Sequence, residues 1–383
     1  MMNRKRIMFV FGTRPEAIKM APLILEVEKH PDILQNVVVS TGQHLEMLRQ
    51  VMHIFDIRPD YDLGIMEASQ TLSQIVIKTL QGLETVILRE KPDILLVQGD
   101  TSSAFAAALC AFYHKLPLGH VEAGLRTGDK WRPFPEEINR RLISQVADLH
   151  FAPTQTATNN LLKEDIPRHN IYLTGNTVID ALLMVSSRNY KLDLGLDPDK
   201  KMILVTAHRR ESFGPPLKGI CEAIARIAKK YQNEVQVVFP AHRNPMVQVT
   251  VKETLAEISN VKIIEPLDYE PFVHLMKASY FILTDSGGVQ EEAPSLGKPV
   301  LVLREKTERP EAITAGTVKL IGIQEEDVFN ETEKLLTDRS AYESMRKSVN
   351  PYGDGQASVR TINALLHYFG YTDLKSEVFI AAC

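Results

Sequence analysis

Only three cysteines occur in this chain of 383 residues, Cys110, Cys221 and Cys383, and neither paired nor metal-ligand spacing relates them. That excludes a structural disulfide framework and a cysteine-held metal, and a reducing cytoplasmic setting is expected. A surplus of charge is also missing. Forty-four basic residues against 48 acidic ones leave a formal net charge of −4. With so little long-range field, neither nucleic acid nor an anionic membrane is an expected partner. Long apolar runs are absent too. Arg4, Lys5 and Arg6 precede just five apolar residues, Ile7 to Phe11, before Gly12-Thr13-Arg14. Such a run is too short for a signal-peptide core, and no stretch is long enough to span a bilayer. Low-complexity tracts and short-period repeats are lacking as well, which excludes solenoid and disordered architectures.

What is present is an ordinary globular composition, 44% hydrophobic and 24% charged. The length exceeds one comfortable core, so two domains are expected. Short β-branched runs alternate with helix-length amphipathic stretches, the pattern of an α/β protein with parallel sheets. The first series of predicted strands is Ile7–Phe11, Val37–Thr41, Ile94–Gln98, Leu118–Val121, Leu149–Phe151 and Ile171–Thr174. A polar, helix-poor segment from Asn189 to Lys201 reads as a linker. The second series is Met202–Thr206, Val235–Phe239, Val261–Ile264, Phe281–Leu283, Val300–Leu303 and Val318–Ile321. Two Rossmann-like domains are therefore expected, residues 1–175 and 176–358, facing an interdomain cleft. In such sheets ligands bind beyond the carboxyl ends of the strands.

Those strand ends also carry the unusual residues. The turn after Ile7–Phe11 lacks the GxGxxG fingerprint and the P-loop pattern, which argues against NAD or ATP, but it offers two cations, Arg14 and Lys19. Asp285-Ser286-Gly287-Gly288 follows the strand at Phe281. Its glycines allow a sharp turn and close approach of a ligand, and a helix start there directs N–H groups at phosphate. Glu291 and Glu292 lie one turn in, where a carboxylate can hold a ribose diol. Thr206-Ala207-His208-Arg209-Arg210 and Pro240-Ala241-His242-Arg243 place His–Arg pairs at two consecutive strand ends, suited to a pyrophosphate. Three acids complete the set. Asp100 ends the strand at Ile94, with an N-cap role as its alternative. Glu122 ends the next strand where no helix begins. Glu136 and Glu137 open a helix, one of them as simple favourable charge at its N-terminus.

The segments GTRPEAIKMAPL from Gly12, GDT from Gly99, HVEAGLRTGD from His120 and PFPEEINR from Pro133 together resemble the non-hydrolysing UDP-N-acetylglucosamine 2-epimerases. So do TGNTVIDAL, TAHRRESFG, LTDSGGVQEEAPSLGKPVLVLR, TERPEAITAGT and NPYGDGQAS, in order to about residue 358. The resemblance implies a GT-B type fold, with a C-terminal helix at about 360–380 packing back on the first domain, and a homodimer. It implies interconversion of UDP-N-acetylglucosamine and UDP-N-acetylmannosamine, with no metal or redox cofactor. Motif by motif, Asp100, Glu122 and Glu136 match the family's catalytic carboxylates, and Lys19 and His208 its other essential groups. Arg14, Ser286, Gly287 and Gly288 match phosphate-holding positions, Glu292 the ribose position and Phe272 a residue packed at the uracil. Gln43, Arg210 and His242 match a second, activating UDP-sugar site. Departures are Gln98 where members often have His, Arg132 where Ser is frequent, and Glu46 and Ser69 where regulated members have Gln and Arg. These leave the catalytic set intact and put allosteric activation in question.

The C2 hydrogen of the sugar is not beside a carbonyl, so a carbanion there is prohibitively uphill. A workable path expels UDP, removes the C2 proton to leave a glycal, and adds UDP back with protonation from the opposite face. The product would supply sugars for cell-surface polysaccharide. Rival expectations are a GT-B glycosyltransferase, a hydrolysing 2-epimerase, a UDP-sugar sensor, and an epimerase of a related 2,3-diacetamido sugar.

Overall fold

Strands form where β-branched and aromatic residues run without interruption, because a parallel strand covered by helices on both faces must be apolar on both. The computed structural model describes residues 4–42, 45–67, 69–209, 213–307 and 309–380, without the side chains of 45–47. The chain divides into two compact units, one of Met1–Ala181 with Tyr352–Ile380, the other of Leu182–Pro351.

The first unit begins with β1 (Lys5–Phe11), α1 (Arg14–Val27), β2 (Leu34–Ser40), α2 (Leu45–Phe55) and β3 (Tyr61–Asp62). It continues with α3 (Leu72–Glu90), β4 (Ile94–Gln98), α4 (Ser102–Tyr113), β5 (Leu118–Val121) and α5 (Glu136–Val146). Then follow β6 (Leu149–Ala152), α6 (Gln155–Lys163), β7 (Ile171–Leu173) and α7 (Thr177–Ser186). The second unit runs β8 (Lys201–Thr206), α8 (Pro215–Lys230), β9 (Val235–Pro240), α9 (Pro245–Leu255), β10 (Val261–Ile264) and α10 (Tyr269–Ala278). After these come β11 (Phe281–Thr284), α11 (Gly287–Glu292), β12 (Val300–Val302), α12 (Pro310–Thr314), β13 (Val318–Leu320), α13 (Glu325–Thr337) and α14 (Arg339–Lys347). The closing helix α15 (Ala357–Tyr368) belongs to the first unit and packs on α1.

Both sheets are parallel throughout. Their orders are β3-β2-β1-β4-β5-β6-β7 and β10-β9-β8-β11-β12-β13. In each, the order reverses beside the unit's first strand, between β1 and β4 in one and between β8 and β11 in the other. A crevice opens at such a switch point because the flanking connections leave in opposite directions. The cores are conventional: Phe9, Phe11 and Phe151 are fully buried in the first unit, Phe239 and Phe281 in the second. Among the described residues, no helix is long and apolar enough to cross a membrane.

The units part inside α7, after Ala181, beyond the 175/176 boundary drawn from the sequence, and the chain returns at Tyr352 rather than after residue 358. The polar stretch 189–200 carries no helix or strand, and Gln236 pins it through bonds to the Asp197 amide (2.9 Å) and carbonyl (2.7 Å). Cys110 and Cys221 are buried free thiols, which burial pushes up to about 11 and about 12, so they stay protonated and inert.

Candidate functional site

In the first unit, the β1 and β4 ends come together through one buried acid. Glu16 accepts from the amides of Gly12 (2.9 Å) and Thr13 (2.7 Å) with one oxygen and from the Thr101 hydroxyl (2.6 Å) with the other. It thereby ties the turn that carries Arg14 to the turn that carries Asp100. Thr101, not Asp100, caps α4, accepting from Ala104 N at 3.0 Å. The N-cap alternative for Asp100 is thus removed, and its carboxylate is available for other work.

Asp100 pairs with Arg140 at 2.7 Å, and its carbonyl takes a bond from Asn139, so α5 holds it from the side. Burial pushes its pKa up to about 6. Arg140 and Lys19 oppose that shift, while the neighbouring charges of Glu122 and Glu136 add to it. Its side chain is 29% exposed yet closely surrounded by protein. Glu122 has φ +64, a strained value for a residue with a side chain. Lys19 (2.5 Å) and Asn176 (2.9 Å) bond one of its oxygens, and Gln98 the other. Gln98, the departure noted above, is therefore a donor to Glu122.

The two acids that open α5 have different fates. Glu137 is fully buried and accepts from the amides of Thr127 (3.0 Å) and Gly128 (3.3 Å) and from Arg141 (3.1 Å), so it is a clamp on the preceding loop. Glu136 has a buried Oε2 with no hydrogen-bond partner among the described residues. An unsatisfied buried carboxylate oxygen is costly, which sets Glu136 apart from the fully bonded Glu137.

In the second unit, Asp285 organises the switch point. It is fully buried, and its Oδ2 accepts from the amides of His208 and Arg209, both at 2.8 Å, while Oδ1 faces His208 Nδ1 at 3.3 Å. That contact orients the imidazole and leaves Nε2 directed away from Asp285. Burial lowers the His208 pKa, Asp285 opposes the shift, and His242 and Arg209 add to it. His242 stacks on His208 with ring centroids 5.9 Å apart.

Ser286 precedes α11, and its amide donates to Thr284 Oγ1 at 3.0 Å. The next amides, those of Gly287 and Gly288, fall in the first helical turn, where no backbone acceptor exists for them. A side chain starting on Gly287 would lie 3.7 Å from Arg209 Nη2 and 3.9 Å from Arg309 Nη2, so two guanidiniums flank the turn. Glu291 is buried and holds Arg309, whereas Glu292 is half-buried one residue on. Phe272 is half-buried on α10. Gln43 and Arg210 lie outside the described residues, as does the side chain of Glu46.

Sequence reasoning read Arg209, within its His–Arg pair, as suited to a pyrophosphate, and it missed Glu16, Asn176 and Arg309. For Glu16 a signal was present, since Thr13-x-x-Glu16 is a capping-box pattern. Two recesses among the described residues lie elsewhere in the first unit. One of about 800 Å³ is bordered by β7 and the C-terminal tail, and one of about 340 Å³ by β2 and Glu90. Neither touches the residues above.

Two parallel-sheet units, each with polar groups gathered where its strand order reverses, define an α/β protein of the GT-B type. The family model described as UDP-N-acetylglucosamine 2-epimerase matches residues 25–366. The UDP-N-acetylglucosamine 2-epimerase of Salmonella typhimurium is 53% identical over 373 residues, 95% of this chain and 99% of that protein. A Neisseria meningitidis UDP-GlcNAc 2-epimerase solved with UDP-GlcNAc superposes with a TM-score of 0.84 at 48% identity, covering 94% of this chain and 100% of that one. The S. aureus MnaA–UDP co-structure gives 0.86 at 48%, covering 98% and 100%. The chain belongs to the UDP-N-acetylglucosamine 2-epimerase family.

Proposed function

We propose that this enzyme interconverts UDP-N-acetylglucosamine and UDP-N-acetylmannosamine by eliminating and re-adding UDP. The observation that carries the reading is the grouping of Glu122 and Glu136 within electrostatic reach of Asp100, whose pKa is raised to about 6. A carboxyl near neutrality can both take and return a proton. In the forward step a carboxylate takes the C2 proton. The C2–H electrons become a C1=C2 double bond, and the C1–O pair leaves with UDP. In the return step a phosphate oxygen re-forms the bond to C1 while another acid protonates C2 on the opposite face.

The remaining residues serve UDP. The Ser286 hydroxyl, the Gly287 and Gly288 amides and Arg14 meet the diphosphate, Glu292 the ribose and Phe272 the uracil. Ser286 contributes its hydroxyl rather than its amide, because Thr284 already holds the amide. Burial lowers the His208 pKa in the free protein, and the approaching diphosphate raises it, so that the imidazole gains a proton and stabilises the departing charge through Nε2. Lys19 keeps Glu122 in place. Gln43, Arg210 and His242 belong to a second UDP-sugar site, and the stacking of His242 on His208 offers a route from that site to catalysis. A cytoplasmic location, which the sparse cysteines without paired spacing support, completes the reading, together with a homodimer and delivery of the product to cell-surface polysaccharide, both carried by the family resemblance.

The test is incubation with UDP-N-acetylglucosamine alone in deuterated water. Formation of UDP-N-acetylmannosamine carrying deuterium at C2 is expected. Product that retains its original hydrogen would contradict elimination. No product without an added acceptor, or free N-acetylmannosamine, would favour the glycosyltransferase or hydrolysing alternative.

A further inference from the structure

His120 lies in β5, fully buried, and takes no part in the chemistry above. Its Nε2 sits 2.8 Å from the Gly99 carbonyl. Because a carbonyl only accepts, Nε2 carries the proton and Nδ1 does not. Nδ1 has no hydrogen-bond partner among the described residues. Burial, with His150 and Arg126 nearby, pulls the His120 pKa down to about 3, against the opposing Gly99 bond and the charge of Glu122. The ring is therefore neutral near pH 7. It is a fixed donor and carries no proton in the reaction.

The peptide it holds is the one that sets Asp100. Gly99 has φ +72, a conformation open to glycine, and its amide donates to Val121 O at 3.0 Å. The Gly99 residue is thus gripped on its N–H side by the β5 backbone and on its C=O side by the His120 ring. The Gly99 carbonyl and the Asp100 amide share one rigid plane. Holding the carbonyl therefore fixes the direction in which Asp100 leaves the turn. His120 and Glu122 are two apart on the same strand end, so the ring references Asp100 to the segment that carries Glu122.

We propose that His120 is a positioning residue, whose bond to the Gly99 carbonyl sets the placement of Asp100 relative to Glu122 and so its fitness as the proton-transferring acid. The inference rests on the epimerase reading of Asp100. Asp100 is faced by Arg140 and Glu136 from α5, by Glu122 from the β5 end and by Lys19 from α1. A displaced turn alters all four interactions together and moves its titration.

The experiment compares wild type, His120→Phe (ring volume without a donor) and His120→Gln (an amide donor near the Nε2 position). It follows kcat and KM for UDP-N-acetylglucosamine across pH, with UDP affinity by calorimetry and thermal melting alongside. His120→Phe is expected to lower kcat roughly ten-fold and shift the acid limb of kcat by about half a pH unit or more, with KM and UDP affinity within about two-fold. His120→Gln is expected to restore most of both. If His120→Phe does not fold, His120→Asn takes its place, since its shorter amide cannot reach the carbonyl. A variant lacking the donor that keeps the wild-type acid limb overturns the proposal, whether its loss of activity merely parallels a lower Tm or is absent. Wild type that fails to convert the substrate would remove the epimerase reading and this proposal together, whereas active wild type with an unmoved limb removes this proposal alone.

Discussion

At the scale of single residues, a catalytic acid is in tension with stability. Asp100 has its pKa raised from 3.8 to about 6 by burial, so the folded state binds that proton more tightly than the unfolded state. The stabilisation is fully present below about pH 3.8 and is lost as pH rises through about 6. Above that, the ionised carboxylate costs ~2–3 kcal/mol, discounted for its partial exposure. Asp100→Asn should therefore melt higher than wild type at pH ~8, with the difference shrinking toward pH ~4. The same change should lower kcat by about two to four powers of ten, because the amide has no basicity. Melting curves and turnover across pH check both, and equal melting at all pH would mean that Asp100 is not raised. Glu292→Ala provides the contrast. A ribose contact is present in ground and transition states alike, so its loss should mainly raise KM and leave kcat near wild type.

Elements account for what the sequence disclosed. All twelve strands expected from apolar runs form, with ends displaced by at most a few positions, because strands covered on both faces must be continuously apolar. The thirteenth, β3, is only Tyr61–Asp62, too short for any alternation to register. The acids and bases at strand ends were legible because a charged residue directly after a buried strand is conspicuous. Glu16 and His120 were not, because each works through contacts with a backbone turn distant in sequence. A buried acid in a first helical turn looks like a solvated one until its donors are known. Gly124 shows how tightly the β5 end is built. Its φ is +91, and a side chain there would begin 2.3 Å from the Ala157 carbonyl oxygen, a backbone atom of α6. Gly124→Ala should destabilise by about 3 kcal/mol or more, combining left-handed strain with overpacking. Denaturant unfolding would measure it, and a near-neutral result would show that α6, which carries Ala157 and Leu161, yields more readily than this spacing suggests.

Across the whole molecule, the first unit is completed by chain that returns only after the second has been made. The joint is polar and buried. Asp180 accepts from the Ser358 amide (2.7 Å) and hydroxyl (2.6 Å) and from the Ala357 amide (3.2 Å), capping α15 from outside its own sequence. Arg360 is held by Asp354 in two bonds of 2.7 Å and donates to the Thr174 carbonyl. The Asn176 amide donates to the Tyr352 carbonyl at 2.7 Å, while its side chain donates to Glu122. A change at the return joint should therefore reach a carboxylate of the active set through Asn176. Asp180→Ala leaves two buried amides and a hydroxyl without their acceptor, at a cost of ~2–4 kcal/mol. It should lower both Tm and kcat, with UDP affinity little changed because the turn proposed to hold UDP, at Ser286, belongs to the other unit. Asp180→Asn, which can still accept, should lie between. If kcat of folded Asp180→Ala equals wild type while Tm falls, Asn176 holds Glu122 without help from the returning chain, and the C-terminal segment contributes stability alone.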